Sequence, residues 1–200
     1  MMGTKILEKR RSKYNGELRV LKTFGMGTYI QSDGLTQSGG IVEAIWRQTL
    51  RRIPKTKFRN PKCLILGLGG GSAAKIIRKK WREAKITGID IDPIMVELGK
   101  KYMGLDKYGV EIKISDAVKY DAKGYDIVIV DLYNGDFFPK KFEYVGFLEK
   151  LKDGNLVIFN RLYYGDKRPE AVRFGKKLEK IFSKVEWFYP EANLMLICNS

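Results

Sequence analysis

The sequence predicts an α/β protein: a doubly wound, mostly parallel sheet with helices on both faces, preceded by a small N-terminal β-hairpin appendage. Three observations predict it. Residues 62–72 read Lys-Cys-Leu-Ile-Leu-Gly-Leu-Gly-Gly-Gly-Ser, an apolar run, a glycine turn and the start of a helix. The next apolar run, Ile86 to Asp90, closes on a carboxylate and completes the first half of a nucleotide-binding α/β unit. The run from Asp126 to Val130 is apolar after its first residue and ends at Asp131, as a central parallel strand covered on both faces would.

The elements follow in order. Residues 1–53 make the appendage and a first helix, and 54–200 the nucleoside-binding α/β domain. In the appendage, Ile6-Leu7, Leu18 to Leu21 and Tyr29-Ile30 carry the strand content, and Asn15-Gly16 is a hairpin turn. Asp33-Gly34 opens a glycine-rich loop expected to reach Gly40. Ile41 to Ile53 has helical spacing, and Pro54 to Pro61 is a basic linker. Then come a strand at Cys63 to Leu66, a helix at Ser72 to Trp81 and a strand at Ile86 to Asp90. Asp92-Pro93, a capping acid before a first-turn proline, opens a helix to about Met103. Strands at Val110 to Ile114 and Asp126 to Val130 precede a helix at Lys141 to Leu151 and a strand at Asn155 to Asn160. A helix at Pro169 to Phe182 and strands at Val185 to Phe188 and Asn193 to Cys198 close the chain.

Composition sets the bounds. The chain has 200 residues, 44% hydrophobic, which suits one globular domain with a small appendage. No apolar run is long enough to span a bilayer, and Met1 to Lys13 is polar and basic without the apolar core of a signal peptide. A soluble cytoplasmic protein is the expectation. Cys63 and Cys198 lie in apolar runs and read as buried free thiols. There is no histidine, which excludes a histidine base, a Ser-His-Asp triad and most zinc sites. No metal is expected. A reaction whose electrophile is already activated, such as a sulfonium, works without histidine. The net charge is +15, with basic residues gathered at Arg51 to Lys62 and Lys75 to Lys85. That balance reads either as a solvated face or as a surface for an anionic partner or nucleic acid.

Ligands of such sheets bind beyond the carboxyl ends of the strands. Gly67, Gly69, Gly70 and Gly71 follow the first parallel strand, and the third glycine of a dinucleotide fingerprint is replaced by Ser72. The turn therefore fits an S-adenosylmethionine (AdoMet)-type nucleoside better than a dinucleotide. Asp90, 19 residues after Gly71, can accept hydrogen bonds from both ribose hydroxyls, with Ile91 beside it. Ser115-Asp116-Ala117 follows the next strand, where Asp116 can accept the adenine amino group. Asp131 ends the fourth.

At these residues the chain resembles spermidine synthase and its relatives, the aminopropyltransferase branch of the class I AdoMet-dependent methyltransferase superfamily. The resemblance covers Glu8 to Val20, Asp33-Gly-Leu-Thr-Gln37, Gly67 to Gly71, Asp90 with Asp92-Pro93, Ser115 to Ala117 and Tyr125 to Asp131. It implies a seven-stranded, mostly parallel sheet and roles for single residues. Gln37 would line the pocket near the donor, Asp90 would hold the ribose, and Asp116 and Ala117 would face the adenine. Asp131 would stand where the family keeps the acid that activates the acceptor amine. Tyr133 would line the same pocket or pack in the core. The family often dimerises through its N-terminal strands, so a homodimer is an implied state, though this appendage is short.

The departures matter as much. The family's aspartate inside the glycine turn, which binds the amine of decarboxylated AdoMet, aligns with Gly70. A second aspartate aligns with Asn134, and a Tyr-His-Glu run with Trp46-Arg47-Gln48. Trp46, Tyr133 and Asn134 are thus the candidate acceptor pocket. Asp131, Glu43 and Asp136 remain as acids. Gly70 is expected to leave room for an AdoMet carboxylate. The leading expectation is therefore methyl or related alkyl transfer from AdoMet to a small-molecule acceptor. The alternatives are a polyamine aminopropyltransferase using decarboxylated AdoMet, and a nucleic-acid-binding protein or RNA methyltransferase.

Overall fold

The computed structural model describes residues 3–200. It begins with a four-stranded antiparallel sheet in sequence order: β1 (Lys5–Ser12), β2 (Gly16–Thr23), β3 (Gly27–Ser32) and β4 (Leu35–Gly39). The fourth strand corrects the expected loop from Asp33 to Gly40. Asp33 and Gly34 both take positive φ, 47° and 80°, which makes a two-residue hairpin turn matched to strand twist. Leu35 then pairs with Ser32, and Gly39 with Tyr29. Gly39 ends the strand at φ 77°, where a Cβ would sit 2.5 Å from the Thr28 carbonyl oxygen.

The helix α1 (Gly40–Arg51) and a single 3-10 turn at Lys55–Lys57 lead to the main sheet. There, β5 (Lys62–Leu66), α2 (Ser72–Lys80), β6 (Lys85–Asp90), α3 (Pro93–Met103) and β7 (Val110–Ile114) follow one another. After them come β8 (Ile127–Val130), α4 (Val145–Leu151), β9 (Leu156–Leu162), α5 (Lys167–Leu178), β10 (Lys184–Phe188) and β11 (Asn193–Asn199). The strand order is β10-β11-β9-β8-β5-β6-β7, parallel except where β11 pairs with β9 and β10. The chain leaves β5 toward one edge and returns through β8 on its other side, so a crevice opens between the ends of β5 and β8.

Two expected helices differ in extent. The one expected from Lys141 begins at Val145, because Tyr144 is extended (ψ 140°) and separates it from a 3-10 turn at Lys140–Glu143. The last helix starts at Lys167, with Pro169 in its first turn, where the missing N–H costs nothing.

Alternation along the strands sorts the core into two layers. Cys63, Ile65, Ile127, Ile129 and Ile158 face α1 and α2, meeting Trp46, Leu50, Ile77 and Trp81. Leu64, Leu66, Val128, Val130 and Phe159 face α4 and α5, meeting Leu148, Leu151, Phe174 and Leu178. Both cysteines are free and buried.

A third cluster holds the N-terminal sheet on the main domain: Leu18, Val20 and Ile30 pack on Met95 and Leu98 of α3. Asp92 locks it. One oxygen caps α3 by accepting from Ile94 N and Met95 N, at 3.0 and 3.4 Å. The other accepts from Ser12 Oγ (2.5 Å) and Asn15 Nδ2 (2.7 Å). One buried carboxylate therefore serves as helix cap and as the clasp that ties the end of β1 and the turn after it to α3.

Candidate active site

A cavity of about 380 Å³ opens at the carboxyl ends of β5, β6, β7 and β8 and is roofed by β4 and α1. Its floor depends on glycine chemistry. Gly67 has φ 88°, and a Cβ there would lie 2.0 Å from the Asp131 carbonyl oxygen. With no side chain, the turn after β5 lies directly against the chain leaving β8. Gly69 N then donates to Asp90 Oδ2 at 2.7 Å, and Asp92 N donates to Asp90 Oδ1 at 2.9 Å. Each oxygen of Asp90 keeps a lone pair for a ligand. Burial pushes the Asp90 carboxyl up to about 6 against the pull of those N–H groups.

Asp131, Leu132, Tyr133, Asn134 and Gly135 form the opposite wall. Asp131 is half-buried at the bottom of the cavity. Its Oδ2 accepts from Trp46 Nε1 (3.1 Å) and its Oδ1 from Asn160 Nδ2 (2.8 Å). Asn160 is oriented in turn by Asn193, whose Nδ2 donates to Asn160 Oδ1 at 2.7 Å. Burial raises the Asp131 carboxyl to about 6, and the two neutral donors offset this only partly. No cation contributes to the shift of either Asp90 or Asp131.

Of the residues singled out from the sequence, Gln37, Trp46, Gly67, Gly69, Asp90, Ile91, Asp116, Ala117, Asp131, Tyr133 and Asn134 line this one cavity. Gln37 Nε2 donates to Gly135 O at 3.1 Å, tying β4 to the loop after β8. Trp46, fully buried, aims its indole N–H at Asp131. Tyr133 is held by the backbone of β9: its hydroxyl donates to Asn160 O (3.2 Å) and accepts from Leu162 N (2.7 Å). Burial keeps that phenol protonated, well above the usual tyrosine range. Asn134 makes a backbone bridge to Phe137.

Asp116 caps the short turn after it by accepting from Val118 N at 3.1 Å, and it pairs with Lys141. Burial pushes its carboxyl up, but Lys141 and the Val118 N–H outweigh it and hold the group below the usual range.

Gly70 and Gly71 stand apart from this lining, which corrects the expectation that Gly70 makes room inside the pocket. Gly70 N donates to Ser38 Oγ at 2.7 Å, and a Cβ on Gly70 would meet Ser38 and Ile30 at 2.9 and 3.1 Å. The position faces the N-terminal sheet. Gly71, at φ 93°, is pressed against Leu105. Glu43 and Asp136 also fall outside the cavity. Glu43 pairs with Lys75 (2.7 Å) and Arg47 (2.9 Å), and Asp136, which lines a neighbouring pocket, pairs with Lys167 (2.7 Å).

Sequence reasoning missed Asn160, Asn193, Ser38 and Lys141. The signal for Asn160 was present, an amide ending the otherwise apolar run Leu-Val-Ile-Phe. The signal for Ser38 was not, because its value comes from the folding of β4 over the glycine turn.

The spermine/spermidine synthase domain family model matches residues 43–185. The chain belongs to the spermine/spermidine synthase family. Polyamine aminopropyltransferases are among its relatives. One from Thermoanaerobacter sp. is 26% identical over 86% of this chain and 65% of its own length. One from Desulforudis audaxviator is 30% identical over 70% of this chain and 56% of its own. The chain thus spans less than two thirds of the length of these family members. In fold, it superposes on the spermidine synthase of Thermotoga maritima with a TM-score of 0.74 at 16% identity, over 98% of this chain and 72% of that one. The human methyltransferase-like protein 13, solved with SAH, gives 0.59 at 22% identity, over 80% and 79%. The spermidine synthase and methyltransferase likenesses show a shared fold. Among the described residues, no helix is long and apolar enough to cross a membrane, and no cluster of potential metal ligands occurs.

Proposed function

We propose that this protein transfers an aminopropyl group from a sulfonium nucleoside donor to an amine, as its relatives' names describe. The observation that carries the reading is Asp131. It is a carboxyl held at about 6 by burial, oriented through both oxygens by neutral donors, with no counter-cation. Such a group is ionised at neutral pH yet basic enough to take a proton. Left uncompensated in the cavity that Asp90 also lines, it favours a cationic ligand, and both a sulfonium and an ammonium are cations.

The remaining site fits a nucleoside donor. Asp90 would receive the ribose hydroxyls, the turn at Gly67 to Gly69 would lie against the tail, and Asp116 with Ala117 would flank the adenine. In the transfer, the amine nitrogen forms a bond to the carbon next to sulfur as the carbon–sulfur bond breaks. The bonding pair leaves on sulfur as a neutral thioether, and the proton of the new ammonium passes to Asp131. Positioning of the two reactants supplies most of the acceleration.

A second reading is favoured by Asn134, a cavity-lining position where the resemblance places an acid and this chain has a neutral amide. It takes intact AdoMet as donor and moves a methyl group. Calorimetric titration with AdoMet and with decarboxylated AdoMet separates the two. Tighter binding of the decarboxylated donor, with release of methylthioadenosine when a di- or triamine is added, supports aminopropyl transfer. Tighter binding of AdoMet, with release of S-adenosylhomocysteine, overturns it in favour of methyl transfer. Binding of neither donor removes both.

A further inference from the structure

The basic residues that the site does not use gather on the face opposite the cavity. Lys62 and Lys85 head β5 and β6 and are register partners in the parallel pair. The 3-10 segment before β5 is folded onto the end of α2: Trp81 Nε1 donates to Lys55 O at 3.2 Å, and Phe58 packs edge-on against Trp81 with ring centroids 6.3 Å apart. That contact holds the segment carrying Lys55, Lys57 and Arg59 against Trp81, the residue before Arg82, and Lys85 N donates to Pro61 O at 3.0 Å at the segment's end. On the other flank, Lys57 Nζ donates to Asn199 Oδ1 at 3.0 Å, and Asn199 pairs in register with Lys184 at the head of β10.

Among the described residues none of these basic side chains is in an ion pair, although the Asp126 carboxylate reaches this face by accepting from Lys62 N at 2.8 Å. Lys55, Lys57, Arg59, Lys62, Arg82 and Lys85 are all exposed. Among the described residues of segments 51–62 and 79–85, Arg52 alone is in an ion pair, with Glu186, and Glu83 is the one acid. Elsewhere several cations are paired with acids, as at Glu8 with Arg10 and Lys101, or Glu43 with Arg47 and Lys75. The crowding is felt at Lys80, whose pKa falls through burial and the nearby charge of Lys55.

We infer that this face docks the phosphate backbone of a double-helical nucleic acid, without reading its sequence. An anionic membrane fits less well, because the exposed large apolar side chains, such as Phe24, Phe137 and Tyr144, lie elsewhere and nothing on this face would enter the lipid. Single-strand binding by stacking fits less well for the same reason, since Trp81 is buried and Phe58 half-buried. What the face offers is point charges without apolar or stacking groups, which suits phosphates at the regular spacing of a duplex. The inference is independent of the transfer reaction, because the face lies at the amino ends of the parallel strands and the cavity at their carboxyl ends.

The test is fluorescence anisotropy with a short labelled RNA duplex, and the same duplex as DNA, across a salt series. About four phosphate contacts give a slope near −3.6 in log affinity against log salt, or on the order of 100-fold between 50 and 200 mM. A triple variant Lys57→Gln, Arg59→Gln, Lys85→Gln is compared with Lys9→Gln, Lys22→Gln, Lys107→Gln, which removes equal charge from exposed positions elsewhere. Thermal unfolding establishes that both variants fold. The first variant is expected to flatten the slope by roughly 2.7 and the second to leave it near the parent value. Equal losses in both variants, no duplex binding by the parent at the lowest salt, or stronger binding to anionic vesicles than to duplex would each overturn the inference.

Discussion

Asp131 makes the electrostatics of the cavity measurable without any substrate. Its carboxyl stands at about 6 in the folded chain against an ordinary value of 3.8. Between those two values the folded state keeps a proton that the unfolded state has released, so stability falls as pH rises through the window. Two pH units correspond to about 2–3 kcal/mol, fully present below pH 4 and lost by about pH 7. Asn at position 131 keeps the volume and removes the titration. It also faces two donors, Trp46 Nε1 and Asn160 Nδ2, with one oxygen, which adds a cost that does not depend on pH. The informative quantity is therefore the difference in unfolding free energy between the parent and Asp131→Asn, measured by urea titration from pH 4 to pH 7.5. That difference should move in favour of the variant by about 2–3 kcal/mol across the range. Contributions from other carboxylates, such as Glu8 held at about 2 by Lys101 and Tyr102, occur in both proteins and cancel. A difference that stays flat with pH would refute the reasoning, since it would mean that burial does not hold the Asp131 proton.

Replacing Asn160 with Leu removes the 2.8 Å bond to Asp131 and leaves the Asn193 amide without its acceptor; carboxyl-carbon NMR should show the Asp131 midpoint rising by about one unit or more. Asp92→Ala removes a helix cap and the clasp to Ser12 and Asn15 together, so calorimetry should show a loss of about 2–4 kcal/mol. Gly67→Ala, at φ 88° and 2.0 Å from the Asp131 oxygen, should lose more than about 3 kcal/mol or fail to fold. Gly146→Ala in α4, with open space around it, should instead gain about 0.5–1 kcal/mol by the same denaturation assay.

Much of this protein follows from local chemistry. Alternation of apolar strands with helices, the glycine run at 67–71 and the Asp92-Pro93 start of α3 each act over a few residues, and each appears where the chain order places it. The acids at strand ends were legible for the same reason: a parallel strand ending at Asp90 or Asp131 delivers that side chain to one edge of the sheet whatever surrounds it. Packing between distant segments decided the rest. β4 forms because Asp33 and Gly34 adopt positive φ and Leu35 finds a partner strand, although its own residues have little strand character. Gly70 is turned away from the cavity by Ser38, which is 32 residues earlier in the chain. Glu43 and Asp136, acids that the sequence left available to a ligand, are taken by lysines. The proton affinity of Asp131 depends on Trp46, Asn160 and Asn193, brought from three elements to one point by the sheet order. A sequence specifies which groups exist and the face of the element on which they stand. Burial, and the partner that meets each group there, arise only when the layers close, because desolvation and hydrogen bonding depend on every neighbour at once.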